Sequence, residues 1–409
     1  MNVTIDFKEW GRQRTVVLSE REAQRLSRHA YAIRCEHRGE NRYKIGPVAG
    51  FVGSLQLSSS TTINVAPRLP LNSFAALLSL AYDDQIIPTR SDRTGAAVGN
   101  LTSWCVGQTV AEAQRLMSRG IRRDYIAVEE QRLAPRGRLL FSGSSPRYDG
   151  ALKCVADEFL LDTPINRYCK AGLAHLAALS VALPWKGALR DLISELSQVS
   201  SVPWQESDSA AVERPIYRDY RSLISLLRLV AASRGSEFAA GPMDISAFFF
   251  RLHELFERAI YRSLRRAADA ASIVYQPVLR NAATFVSGSP NLGITFKPDV
   301  GITAPSVALQ SATGKWRLVV DAKYRDPVQV ARFGRAFRHD NIYQILAYSR
   351  VFGCPGVLVY PRVDQDVDIS YRVGDSAIRI RTIDLASPDL NAEMSEFARS
   401  TLQEAFQKI

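Results

Sequence analysis

The order of segments within residues 295–361 limits the fold more than any other feature of the chain. "TFKPDVGI" (295–302) and "KWRLVVDAKYR" (315–325) both carry apolar strand patterns. A helical stretch, "NIYQILAYSRVFG" (341–353), and a further strand, "GVLVYP" (356–361), follow them. Strand, strand, helix, strand, after an upstream helix, predicts a small α/β sandwich. Two of these strands carry an acid at one end. Asp299 precedes "VGI" and Asp321 follows "LVV". Strand side chains alternate, so Asp321 and Lys323 share one face while Val320, Ala322 and Tyr324 take the other.

If the two strands pair antiparallel, Asp299 and Asp321 meet at one end of the sheet. Two carboxylates that close repel unless a cation lies between them. Hard oxygen donors with room for water suit Mg²⁺ or Mn²⁺. Lys323 would then point at the metal, where an ammonium can orient a water or stabilise charge on a phosphate. Glu254 and Glu257 lie on one face of the upstream helical stretch "HELFERA", and Gln344 and Tyr348 share a face of "NIYQILAY". A partly buried Asp321–Lys323 ion pair is the plainer alternative, since neither a PD nor a DxK is informative alone.

The remainder of the chain divides by cadence into three regions. Residues 1–90 read as β-rich, with strands in 2–7 and 15–19, a helix over 20–33 and a hairpin in 46–70. A helix over 71–82 follows, capped by Asn72 or Ser73. Residues 91–235 read as mainly helical: helix over 97–127, strands in 131–160, and a helix started by Asp162, Thr163 and Pro164. The polar, proline-bearing 201–215 reads as a linker or exposed loop. Residues 236–409 form the α/β region, opened by a helix over 244–269 with Asp244 or Ser246 as cap.

The net charge of +11 suits a polyanionic partner such as DNA. Cys35, Cys105, Cys154, Cys169 and Cys354 are scattered without a CxxC, so reduced thiols and no structural zinc are expected. Apolar runs such as "AGLAHLAALSVALPW" (171–185) stop short of the roughly 18–20 residues that cross a bilayer. With no signal-peptide pattern, the expectation is a cytoplasmic protein without a membrane partner.

"GITFKPDVGI", "LVVDAKYR" and "DNIYQILAYSRVFGCPGVLVYP" together resemble the catalytic part of the McrC family. These are the nuclease subunits of McrBC-type modification-dependent restriction systems, within the PD-(D/E)xK nuclease superfamily. "LHELFERAI" resembles the family's helix acid motif and favours Glu257 over Glu254. "GFVGSLQLSSSTTINVAPRLPLNSFAALLSLAYD" and "DEFLLDTPINRYCKAGL" resemble its N-terminal and middle parts. The resemblance implies a PD-(D/E)xK core, a mixed sheet flanked by helices, that hydrolyses DNA phosphodiesters with Mg²⁺. Asp299, Asp321 and the Ala322 carbonyl would hold the metal, Lys323 the attacking water, Glu257 would assist, and Gln344 would orient its neighbours. Lys297, Arg325, Arg332, Arg335 and Arg338 would face DNA.

The chain has no GxxxxGK[ST] phosphate loop. The resemblance accordingly implies a separate McrB-like AAA+ GTPase, on which this subunit docks and whose hydrolysis it stimulates. "VAPRLP" with Arg68 is the expected docking segment. Two other readings stay open: a stand-alone repair or junction nuclease on the same core, and a non-catalytic adaptor that activates an AAA+ motor.

Overall fold

A computed structural model describes residues 3–82, 101–140, 152–178, 184–232, 247–268, 273–280, 295–303, 316–331 and 334–406. Two compact units emerge. One joins Met1–Pro88 to Phe249–Ile409, and the other is Thr89–Phe248.

The first unit starts with β1 (Val3–Lys8), β2 (Phe51–Gln56) and β3 (Thr61–Ala66). β2 and β3 form the expected hairpin, and β1 adds in parallel to β3. The sheet order is completed beside β2 by β4 (Ala247–Arg251). A small three-stranded sheet, Arg14–Val17, Arg42–Pro47 and Ile33–His37, lies between β1 and β2 in sequence. The helix expected over 20–33 therefore stops early: it spans Glu20–Ser27, closed by a Ser19–Glu22 capping box. Ile33 onward pairs with the neighbouring strand instead. Helix α1 (Leu71–Tyr82) already includes Asn72 and Ser73, so neither is its cap.

The expected helix over 244–269 is also corrected. Residues 244–246 lie outside the described residues, and the three phenylalanines of "AFFFR" form β4. Helix α2 (Leu252–Ala267) begins only after it, at the Arg251 cap. α2 buries Leu252, Leu255, Phe256, Ala259 and Ile260 and packs against α1 and the largest sheet.

That sheet has six strands: β5 (Ile273–Tyr275), β6 (Val300–Thr303), β7 (Trp316–Ala322), β8 (Gly356–Pro361), β9 (Asp368–Val373) and β10 (Ser376–Ile383). Their spatial order is β5-β6-β7-β8-β10-β9. β6 and β7 pair antiparallel, Val300 opposite Val320, whereas β7, β8 and β10 run parallel. The central strands are the apolar ones because both their faces are covered, and every residue of β8 is buried.

Between β7 and β8 runs the crossover helix α3 (His339–Phe352), which ends at Gly353 with φ 64°. α3 lies close on the sheet because residue 356 is glycine: a Cβ there would sit 2.6 Å from Ile345 Cγ1. Helix α4 (Leu390–Phe406) packs against α2. The sheet is thus mixed and flanked by helices, an α/β fold.

In the second unit, Leu101–Ser118 is helical, but the helix expected to reach 127 gives way to the strand Asp124–Arg132. That strand pairs with Leu152–Leu160, which also holds the short strand Arg138–Leu139. The helix Pro164–Ala178 starts at its proline, with Thr163 Oγ1 accepting from Asn166 N at 3.3 Å. The linker expected at 201–215 is not one. Residues Glu206–Glu213 and Pro215–Tyr220 form 3₁₀ turns that bury Ser209, Val212, Tyr217 and Tyr220.

Candidate active site

β6 and β7 bring their two acids to one end of the sheet. β6 begins at Val300, just after Asp299, while β7 continues to Ala322. The Asp299 side chain fills the place of the missing strand residue, its Oδ2 accepting from Ala322 N at 2.7 Å. On the other side of β7, it is Lys323 N that donates to Val359 O, at 2.9 Å. In a strand, the N–H and C=O of one residue point the same way. The Ala322 carbonyl therefore faces the Asp299 side, without a strand partner there.

Asp321 is only 1% exposed, and its Oδ2 lies 2.6 Å from Lys323 Nζ. The contact is an ion pair rather than a well-directed hydrogen bond. The strand itself ends at Ala322, so Lys323 returns to Asp321 from just beyond it. Burial raises the pKa of the Asp321 carboxyl above its ordinary value. Asp299 is pushed up to about 8, first by burial, then by the charges of Asp321 and Glu257. Two buried acids sharing one ammonium are one positive charge short.

Glu257 reaches this group from α2. Its Oε1 accepts from Gln276 Nε2 at 2.6 Å, and the Tyr275 hydroxyl also hydrogen-bonds it. Glu254 turns away into an ion pair with Arg251 at 2.8 Å. Gln344 touches the site indirectly. Its Nε2 donates to the Tyr348 hydroxyl (2.9 Å), which donates to the Lys297 carbonyl (3.1 Å) and feels the charges of Asp321, Lys323 and Asp299.

Residues matched to a family model decide what this arrangement belongs to. The family described as McrBC 5-methylcytosine restriction system component matches residues 47–361. The chain belongs to this family. Within the McrBC family, a chain of the refined half-complex from the tetradecameric assembly of Thermococcus gammatolerans McrB AAA+ hexamers with bound McrC shares its fold. The TM-score is 0.54 at 16% identity, covering 98% of this chain and 99% of that one. A chain of the Thermococcus gammatolerans McrBC complex, seen by cryo-EM, gives a TM-score of 0.41 at 17% identity, over 65% of this chain and 88% of that one. No curated protein matches.

Among the described residues, the basic side chains expected to face DNA differ in their partners. Arg325 is held by Asp340 (3.0 Å) and by Asn341. Arg338 Nε donates to the Asp326 carbonyl at 3.2 Å. Arg332 lies outside the described residues, and of Arg335 only the backbone, in the strand Gly334–Phe337, is described. Lys297 is exposed. Arg68 is exposed as well, its guanidinium 5.3 Å from the Trp10 ring centroid.

Sequence reasoning passed over Tyr275, Gln276 and Glu9. Glu9 is 2% exposed, accepts from the Tyr324 hydroxyl at 3.2 Å, and is pushed up to about 7 by burial. No local pattern marks such residues, because each matters only through a partner distant in sequence.

The donor set fits a small divalent cation. Among the described residues, no three His, Cys, Asp or Glu side chains form a ready metal cluster. Asp299, Asp321 and the Ala322 carbonyl provide two carboxylates and a neutral oxygen, with the rest left to water, the pattern Mg²⁺ favours. Among the described residues no helix is long and apolar enough to cross a membrane, and none of the five cysteines is in a disulfide.

Proposed function

We propose that this chain is the nuclease subunit of a McrBC-type restriction system, a Mg²⁺-dependent endodeoxyribonuclease of the PD-(D/E)xK kind. The observation that carries the reading is the Asp299–Asp321–Lys323 group, with Asp321 fully buried, at the shared end of β6 and β7. Asp299, Asp321 and the Ala322 carbonyl would hold the cation, with Mn²⁺ as an alternative. When bound, the ion supplies Lewis-acid polarisation of the phosphate and a more acidic water. Lys323 orients the attacking water and offsets charge on the phosphate oxygens. Glu257 assists from the Asp299 side, and Gln344 steadies the segment before Asp299 through Tyr348 and the Lys297 carbonyl. Lys297, with the arginines at 332, 335 and 338, would follow the DNA backbone, whereas Arg325 is held by Asp340 and Asn341.

The family match supports a role in the same system as an AAA+ GTPase, and the similar fold comes from an assembly of McrB AAA+ hexamers with bound McrC. This chain would dock on such a GTPase and stimulate it, with the segment around Arg68 as contact. The test is cleavage of 5-methylcytosine DNA by the full chain, with and without the AAA+ partner, in Mg²⁺. Asp321→Ala and Lys323→Ala should each abolish cutting while leaving GTPase stimulation intact. Unchanged cutting by both variants would overturn the reading.

A further inference from the structure

Gln276 has φ 45°, in the left-handed region that side chains other than glycine avoid. It also precedes Pro277, and a residue before proline is driven toward extended backbone. Two local preferences therefore oppose the conformation it adopts. Such strain persists only where surrounding contacts impose it, and it collects at functional sites. Gln276 does not reverse the chain, because its N–H still pairs with the Asp299 carbonyl at 2.8 Å, extending the β5–β6 ladder by one residue.

The strained backbone changes where the side chain goes. In an extended strand, neighbours such as Tyr275 and Gln276 would point to opposite faces. Here both reach Glu257: the Tyr275 hydroxyl hydrogen-bonds it, and Gln276 Nε2 donates to its Oε1 at 2.6 Å. One residue thus ties two acids of the site together, Asp299 through its backbone and Glu257 through its side chain.

We propose that Gln276 is a positioning residue of the nuclease centre, its left-handed backbone aiming the side-chain amide so that the Glu257 carboxylate is fixed beside Asp299. The inference rests on the metal-dependent nuclease reading above. Gln276 touches neither metal nor substrate in this role. It acts through Glu257, as partners behind a metal site commonly do.

The test uses the full chain without DNA, measuring Mn²⁺ affinity by calorimetry and stability by thermal melting. Gln276→Ala keeps the strain and removes the amide, whereas Gln276→Gly removes both. Each should weaken Mn²⁺ binding by about tenfold. Gln276→Gly should melt no lower than wild type, which separates the loss from misfolding. In a Glu257→Ala background, Gln276→Ala should cause no further loss, since the group it positions is gone. Wild-type Mn²⁺ affinity in both Gln276 variants, or the same loss with Glu257 absent, would overturn the proposal. Asp321→Ala is the control: if it binds Mn²⁺ like wild type, the metal-centre reading itself fails and the proposal falls with it.

Discussion

The Tyr324 hydroxyl donates to Glu9 Oε2 across 3.2 Å, tying the residue after Lys323 to the segment that follows β1. Trp10 packs tilted against the same tyrosine with ring centroids 5.8 Å apart, and the Arg68 guanidinium lies over Trp10. The end of β7 and the β-rich N-terminal region therefore share a buried polar contact. Its energetics depend on pH.

Burial raises the Glu9 pKa from its ordinary 4.5 to about 7, against the lowering influence of the Arg68 and Gly50 N–H groups, Tyr324 and the Arg68 charge. A carboxyl raised on folding keeps its proton in the folded chain between those two values, while the unfolded chain releases it. Its contribution is thus fully present below pH 4.5 and is lost as pH rises through about 7. At 1.36 kcal/mol per unit, the loss is about 3 kcal/mol. Glu9→Gln cannot titrate. Denaturant melts should show its stability rising relative to wild type by about that amount between pH 4.5 and pH 8.

Asp299→Asn should separate stability from function. Asp299 is pushed up to about 8 by burial and by Asp321 and Glu257, so ionising it costs the metal-free chain stability at alkaline pH. At pH 9 the metal-free variant should melt at least as high as wild type, yet cut no DNA. Adding Mn²⁺ at about 100 times its dissociation constant should stabilise wild type by about 2.7 kcal/mol and leave the variant unmoved.

Gly356→Ala tests how closely α3 lies on the sheet. The added methyl would meet Ile345 Cγ1 at 2.6 Å, at the helix that carries Gln344 and Tyr348. Overpacking of this kind costs about 1–3 kcal/mol. Adding Ile345→Ala, which removes both Cγ1 and the Cδ1 that the methyl would meet at 3.0 Å, should cost less than the two single losses summed in thermal melts. Strictly additive losses would mean that the strain is relieved elsewhere.

The α/β region was legible because its signal is local: apolar runs end in acids, and the helix between them closes at a glycine. The antiparallel meeting of Asp299 and Asp321 follows from that order. What the sequence hid depends on distant pairing. "AFFFR" has the bulk of a helix face, but it lies beside β2 in a sheet. Ile33–His37 would continue the helix begun at Glu20, yet the strand Arg42–Pro47 captures it. Glu254 and Glu257 are equivalent by helical spacing; the family resemblance favours Glu257, and in the structure Arg251 on one side and Gln276 on the other distinguish them. By sequence Arg325 is one of a basic series, but in the structure Asp340 and Asn341 hold it.

That last difference gives a prediction about DNA. Lys297 is exposed beside the site, and its backbone carbonyl, not its ammonium, is engaged by Tyr348. Lys297→Ala should weaken DNA binding to a similar degree for every sequence and lower the slope of log affinity against log salt by about one. Arg325 has its guanidinium occupied by Asp340 and Asn341, so Arg325→Ala should chiefly lower thermal stability, by about 1 kcal/mol, and change the salt slope little. Binding titrations at several salt concentrations, alongside melts of both variants, check the pair. A larger drop in salt slope for Arg325→Ala than for Lys297→Ala would show that Arg325 leaves Asp340 to reach the phosphates.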